Sequence, residues 1–465
     1  MISITKAMDA PTIVKKGRGV NLLHNGYRYS KDKKNAAGVQ YWKCTARDCS
    51  GRAHTTDADG LQLLKTTDHD HEPDMEATVS AKIKADLCQK AAENPALPMK
   101  EVYNQYMTSA DAPPIEDDIL EPQLQSCKSQ MYRARRQNMP QLPVTRQDIN
   151  LEGQWAVTND DQPFVVHQDS DMVLLATDNN LQLLSASDTI YMDGTFKISP
   201  RQFTQLFTLH IIYMGFFIPV VYALLKDKSS DTYYQMFAHL RRKMSTLNLI
   251  LNPISLMLDF ESGIIPSLRQ HFPTSSINGC NFHFTQAVWR KVQSLGLVNH
   301  YKSGIPRRII KSLMALPFIP RTWVRQTFTA VTMMDNGELQ AIAELLQYFR
   351  DTWLNGQYPI TMWNVYQQDI RTNNKLEGWH NSLNRAAKKS HPNIYELLTV
   401  LKTEQSATDR TVKSARLGTQ PPPLRPKTKD RQQKIRTLET ELDNGQRSIE
   451  DYLAAMRRHV GYKEC

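Results

Sequence analysis

Four residues near the front of this chain have the chemistry of a metal site: Cys44 and Cys49 in QYWKCTARDCSG, and His69 and His71 in HDHEP. Structural zinc takes four nitrogen or sulfur ligands in a tetrahedron, and Cys2His2 is one accepted set. Cys44 reads as the end of a strand and Cys49 as the far side of a tight turn, so both can reach one ion. His69 and His71 are two positions apart, which places them on one face of a strand. Helical zinc fingers space their histidines three to five apart instead. His54 is an alternative third ligand. A short segment with so few large apolar residues needs a metal to fold.

Three carboxylates form a second constellation. Asp193 in IYMDGTF and Asp259 in ISLMLDFE each end an apolar run, and Glu377 in TNNKLEGWHNSLN stands in the first turns of a helix capped by Asn373 or Asn374. A carboxylate at the end of a buried strand is costly to desolvate unless it is paired or holds a cation. Two strands and a helix can bring three such groups around two Mg2+ or Mn2+ ions, the arrangement that activates a water or a 3′-hydroxyl against a phosphodiester. Glu261, two residues after Asp259, can substitute as a ligand. His380, three after Glu377, shares its helix face. Cys280 and His283, in NGCNFHF, read equally as buried packing and as functional groups.

The elements that must position these residues follow from periodicity. Residues 1–75 read as short β-hairpins, basic at first and then acidic: ten Lys/Arg against three acids over 1–50, then seven acids against Lys65 alone over 57–76. Residues 76–140 carry three short helical segments, restarted after Pro98 and ended by Pro140. The basic last helix, with Lys128, Arg133, Arg135 and Arg136, suggests a helix-turn-helix-like unit. From 151 to 410 the apolar runs MVLLAT, TIYMDGTF, FTLHIIYM, IPVVYALL and ISLMLDF alternate with helices such as DTYYQMFAHLRRKM, opened by Asp231. The pattern predicts a mixed α/β sheet covered on both faces, with a helical, Trp-rich insertion at about 297–370. After 410 a proline-rich basic linker, TQPPPLRPKTKDRQQK, is expected to be extended and to lead into a charged helix over 430–459.

Bulk properties bound the function. The 465 residues carry 57 Lys/Arg and 47 Asp/Glu, a net charge of +10, which leans toward a polyanionic partner. Six scattered cysteines exclude a secreted disulfide scaffold, and the first ten residues have no apolar run of a signal peptide, so an intracellular setting is expected. The stretch FTLHIIYMGFFIPVVYALL, 207–225, is long enough to span a membrane. His210, Gly215 and Pro219 interrupt it, and two buried strands joined near Met214–Gly215 explain it better.

Two resemblances join these readings. YRYSKDKKNAAGVQYWKCTARDCSGRAHT…HDHEP, over about 12–74, resembles a FLYWCH-type zinc finger, with Tyr41-Trp42-Lys43-Cys44 as its aromatic-Cys core and Tyr27 or Tyr29 for the first aromatic. It implies a zinc-stapled antiparallel sheet, WRKY-like in design, that binds double-stranded DNA. By that analogy Arg28, Lys31, Lys33, Lys34, Lys43 and Arg47 contact phosphates or bases. Residues 185–390 resemble a Mutator-like element (MULE) transposase domain, with DGTF, DFE and the Glu of TNNKLEGWHNSLN as the triad, and Cys280-x-x-His283 as a further mark.

That second likeness implies an RNase H-like fold, metal positions at Asp193, Asp259 and Glu377, and supporting roles for His283 and His380. It also implies DNA cleavage and joining in the nucleus, by assemblies of more than one copy that hold two element ends. The alternative is a regulator that binds DNA and has lost the chemistry. No membrane association is expected.

Overall fold

Leu22, Tyr29, Trp42 and Ala53 turn inward from successive strands and, with Cys44 and Cys49, make the small core at the front of the chain. The computed structural model describes residues 10–16, 19–56, 61–95, 97–113, 122–137, 139–333, 337–423 and 425–460. It divides at 142/143 into two units.

In the first unit, β1 (Thr12–Lys16), β2 (Gly19–His24), β3 (Tyr27–Lys34), β4 (Gln40–Cys44), β5 (Arg52–Thr56) and β6 (Gln62–Thr66) form one antiparallel sheet in sequence order. Asn25 and Gly26 join β2 to β3 with φ of 48° and 76°, the conformation an Asn-Gly hairpin turn favours. A Cβ on Gly26 would lie 2.7 Å from Pro73 Cβ and Met75 Sδ, so only glycine lets the following segment pack there.

Three helices follow: α1 (Met75–Glu93), α2 (Met99–Met107) and α3 (Leu124–Gln137). Asp74 caps the first by accepting the Ala77 amide at 2.9 Å. Val79, Ile83, Leu87, Val102, Cys127 and Met131 form their shared core. Within the basic last helix Arg133 and Arg136 are exposed. Arg135 differs: it is buried, and its guanidinium donates to the carbonyls of Ala91, Asn94 and Leu97 at 3.1, 3.0 and 2.6 Å. It satisfies the carbonyls around the end of α1 from a buried position, a correction to its expected DNA contact.

The second unit is built on a seven-stranded mixed sheet. Its strands are β7 (Val165–Gln168), β8 (Met172–Leu175), β9 (Thr189–Thr195), β10 (Gln205–Tyr213), β11 (Phe216–Leu225), β12 (Ser255–Leu258) and β13 (Ser276–Gly279), in spatial order β13-β12-β9-β10-β11-β8-β7. The expected pair of strands within 207–225 is present, turned by Met214 and Gly215 with φ of 48° and 83°. Strands β12 and β13 run parallel to β9 and the other pairings are antiparallel. Among the described residues no helix is long and apolar enough to cross a membrane.

Helices α4 (Asp178–Ser185), α5 (Ser230–Thr246), α6 (Ile264–His271) and α7 (Asn281–Ser294) supply the connections and cover the sheet. The cap of α5 is Ser229, whose side chain accepts the Thr232 amide, rather than the expected Asp231. The insertion comprises α8 (Gly304–Ala315), α9 (Val324–Thr332), α10 (Ala343–Phe349) and α11 (Ile360–Trp363). Its Phe349, Trp353 and Trp363 rings gather around Phe284 of α7. The chain then runs through α12 (Asn374–Ala387), α13 (Ile394–Arg416), α14 (Pro426–Asp443) and α15 (Ile449–Met456).

The tail departs from expectation. Helix begins at Pro426, a residue suited to a first helical turn, so KTKDRQQK is helical and the non-helical stretch is shorter than expected. The single helix foreseen over 430–459 is two, broken at residues 444–448. Ile435, Leu438, Tyr452, Leu453 and Met456 join the main core, which is why this charged segment does not stand free in solvent.

Candidate zinc centre and carboxylate site

Cys44 closes β4, and Cys49 follows a turn in which Asp48 takes φ of 61°. The ligand atoms of Cys44, Cys49, His69 and His71 all lie within 4.8 Å of one another. Cys44 Sγ is 3.3 Å from His71 Nε2, and Cys49 Sγ is 3.4 Å from His69 Nδ1. The two histidines sit in an irregular loop after β6 and not on a strand, because Asp70 between them is pulled aside to accept the amide and hydroxyl of Ser50, both at 3.0 Å.

The surroundings orient each ligand. His71 Nδ1 is 2.8 Å from the Glu72 carbonyl, so its Nε2 is left for a metal. His69 Nε2 meets the Tyr29 hydroxyl at 2.8 Å, leaving Nδ1. The Tyr27 ring stacks on His69 at 3.6 Å. Gly51 is required here: a Cβ would stand 2.5 Å from two His69 ring atoms. Amides of Ala46 and Gly51 donate to the Cys44 and Cys49 sulfurs at 3.4 and 3.3 Å. Burial opposes ionisation of both thiols. At Cys49 the amides of Asp70 and Gly51 outweigh it and hold the thiol below its usual range, whereas at Cys44 burial prevails. Two sulfurs and two outward-tied imidazoles are a donor set that fits zinc. His54 lies elsewhere, edge-on to Tyr41 at 4.4 Å.

Lys31, Lys33, Lys34, Lys43 and Arg47 are exposed on β3, β4 and the turn beyond. Lys33 lies over the Tyr41 ring, and Arg28 pairs with Asp74 at 3.9 Å.

In the second unit the sheet register positions the acids. Ser255, Leu256 and Met257 of β12 pair in parallel with Thr189, Ile190 and Tyr191 of β9. Two residues further along β9 comes Asp193, on the same face as Tyr191, and Asp259 follows directly after the end of β12. That face is covered by Leu376 of α12, which is buried against Tyr191 and Met257. Leu376 thereby sets Glu377 and His380 beside Asp193.

Two histidines attend the carboxylates. His283 Nε2 is 3.4 Å from Glu377 Oε1, and His380 Nδ1 is 3.5 Å from Asp193 Oδ2. The Gly194 amide donates to Asp193 Oδ1 at 2.8 Å. His380 Nε2 reaches the Thr208 hydroxyl at 3.3 Å, and His210 meets the same hydroxyl at 3.1 Å. Glu261, near enough to act on the Asp259 carboxyl, is engaged by Lys228 at 2.5 Å and by the Tyr233 hydroxyl.

Cys280 has a structural contact: its buried Sγ accepts the Asn373 amide at 3.2 Å, directly before α12. Beside it the Asn281 amide donates to the Arg371 carbonyl at 2.9 Å. The C-x-x-H segment therefore holds the entry to the helix that carries Glu377, and places His283 against that glutamate. Asn373 is the cap residue, but its side-chain Nδ2 donates to the Met192 carbonyl at 3.4 Å and makes no cap bond to α12.

The electrostatics are those of crowded negative charge. Burial, then Asp193 and Glu261, push the Asp259 carboxyl up to about 7, against the pull of Lys228. Burial and Asp193 also raise Glu377, and burial lowers His283. Glu377 Oε1 is buried, and its 3.4 Å approach to His283 lies outside hydrogen-bond geometry. A divalent cation would relieve these costs, so the oxygen donors fit Mg2+ or Mn2+ chemically. The three carboxylates are not all within the 4.8 Å of one another that the zinc quartet achieves.

Sequence reasoning missed Thr208, Tyr29 as the partner of His69, and the clamp on Asn373. Only the aromatic-rich hairpin offered a signal for any of them, at Tyr27 and Tyr29.

Comparison with known families places two matches on this geometry. The FLYWCH zinc finger domain matches residues 13–71, which include all four cysteine and histidine ligands. The MULE transposase domain matches residues 189–287, which include Asp193, Asp259, Cys280 and His283 and end before Glu377. No curated protein matches the chain.

Proposed function

We propose that this chain is a MULE-type transposase or a protein derived from one, in which the front module binds double-stranded DNA and the core cuts and joins it. The observation that carries the reading is the β9–β12 register, which brings Asp193 beside Asp259 beneath the helix bearing Glu377. The sheet order supports an RNase H-like core: an antiparallel meander β9-β10-β11, with β12 and β13 added in parallel on the far side of β9. The domains are then a zinc finger at 12–74, a helical segment at 76–140, the transposase core at 151–410 with its insertion at 297–370, and the tail from 411.

Asp193, Asp259 and Glu377 would hold two divalent ions, which supply the charge to activate the attacking oxygen and stabilise the leaving one. His380, braced by Thr208, fixes the Asp193 carboxylate, and His283 fixes Glu377. Arg28, Lys31, Lys33, Lys34, Lys43 and Arg47 on the sheet would neutralise phosphates, and Arg133 and Arg136 would extend that surface. Nuclear residence and pairing of copies across two DNA ends follow from such a role.

A second reading, a DNA-binding regulator without strand chemistry, is favoured by the spread of the carboxylates and by the histidines already paired with two of them. Incubating the full chain with Mn2+ and duplexes bearing the element's terminal repeats decides between the two. Wild type is expected to cleave, while Asp193→Asn and Glu377→Gln bind equally well and leave the DNA intact. If wild type and Asp193→Asn are equally inert while both bind, the catalytic reading fails and the regulator stands.

A further inference from the structure

At the opposite edge of the seven-stranded sheet lies a cluster that neither the zinc centre nor the carboxylates use. Four strand spacings, about 19 Å, separate β9 from the edge strand β7. His167 stands on β7, and Asp169 opens the turn into β8. A bulge between Val165 and His167 interrupts the pairing, the kind of irregularity that re-aims a side chain. Asp169 is preorganised: its Oδ1 accepts the amides of Asp171 and Met172 at 2.7 and 2.8 Å, which leaves Oδ2 facing His167 Nε2 at 2.7 Å.

The third member comes from far along the chain. Helix α5 packs against β7 and β8 and brings in His239, whose ring stacks on His167 with centroids 3.5 Å apart and planes inclined by 17°. One ligand atom from each of the three lies within 4.8 Å of the others. All three side chains are reachable from solvent.

A hydrogen-bonded His–Asp pair with a stacked neighbour would account for the two closest contacts. It does not account for a second imidazole delivered to the same point by a different element, beside a carboxylate fixed by two amides. Two imidazoles and one carboxylate are the donor set of borderline cations, zinc foremost, and three protein ligands leave a coordination position open. We propose that His167, Asp169 and His239 form a second zinc site, which pins the edge hairpin β7–β8 to α5. Seating the ion turns the His239 ring from its stack toward the shared nitrogen and oxygen donors.

The site is separable from the Cys2His2 centre by spectroscopy, since Co2+ bound to thiolates absorbs strongly by charge transfer and Co2+ bound to nitrogen and oxygen does not. The full chain would be titrated with Co2+ and with Zn2+, with excess Mg2+ present for the carboxylates. Two equivalents are expected in wild type, the first with thiolate absorption and the second without. His239→Ala should lose the second equivalent and keep the first. Asp169→Asn, which retains the carbonyl that accepts the amides, should weaken the second at least about tenfold. A single equivalent in wild type overturns the proposal, as does a second equivalent that His239→Ala leaves unchanged. Zinc should also raise the melting temperature of the second unit in wild type and not in His239→Ala, and equal shifts in both would count against the site.

Discussion

Gly51 and Tyr29, both set against the ligand His69, show how the zinc centre depends on residues that bind no metal. The hydroxyl of Tyr29 fixes one nitrogen of His69, and the bare backbone of Gly51 leaves room for its ring. Tyr29→Phe removes the hydrogen bond and keeps the packing, so zinc affinity should fall by roughly 10- to 100-fold. Gly51→Ala places a methyl inside the ring's volume and should cost more. Competition against a chromophoric chelator measures both, and an unchanged affinity in either variant would remove that residue from the centre. At this scale the sequence was most informative where chemistry is rare: two cysteines and two histidines announce themselves. Tyr29 and Thr208 do not, because a tyrosine or threonine in a strand is ordinary until its partner is known.

At the scale of elements, the arrangement around α12 depends on a segment far from it in sequence. Arg371, two residues before Asn373, pairs with Glu439 of α14 at 3.1 Å, with side chains only 11% and 7% exposed. Gln367 and Tyr366, just upstream, bond to Glu439 and Asp443 of the same helix. Removing one member of a buried pair strands the other charge, at a cost of about 3–5 kcal/mol. Glu439→Gln should therefore destabilise the second unit by that order in urea unfolding, whereas the double variant Arg371→Met, Glu439→Met should recover most of the loss. Similar stability in wild type and Glu439→Gln would refute the clamp. Most strands and helices were legible from periodicity, including the pair within 207–225. The packed tail was not, because PPPLRPKTKDRQQK carries the composition of a linker and its few apolar residues recur only further on. The course of His69–His71 was illegible for a related reason: Asp70 diverts it through a bond to Ser50 that no local pattern encodes.

For the whole molecule, the division into two units with separate cores predicts separable unfolding. Among the described residues the sheet of the first unit buries only Leu22, Tyr29, Trp42, Ala53, the two cysteines, Val14 and Leu23 as apolar groups, so its stability is tied to metal. Calorimetry in the presence of a strong chelator should abolish the transition of that sheet. The transition of residues 143–465 should persist, lowered only by whatever the His167 site contributes. Loss of both transitions together would show that the units depend on one another.

The tie between Arg371 and Glu439 also orders events during synthesis. Asp193 and Asp259 leave the ribosome early, whereas Glu439 follows Asp259 by 180 residues. At translation rates of about 5–20 residues per second, that delay is on the order of 10–40 s. Throughout it the nascent chain holds both aspartates while the helix bearing Glu377 has yet to be clamped. The helix that carries Glu377 is thus among the last parts of the second unit to be locked, only after Glu439 has been made.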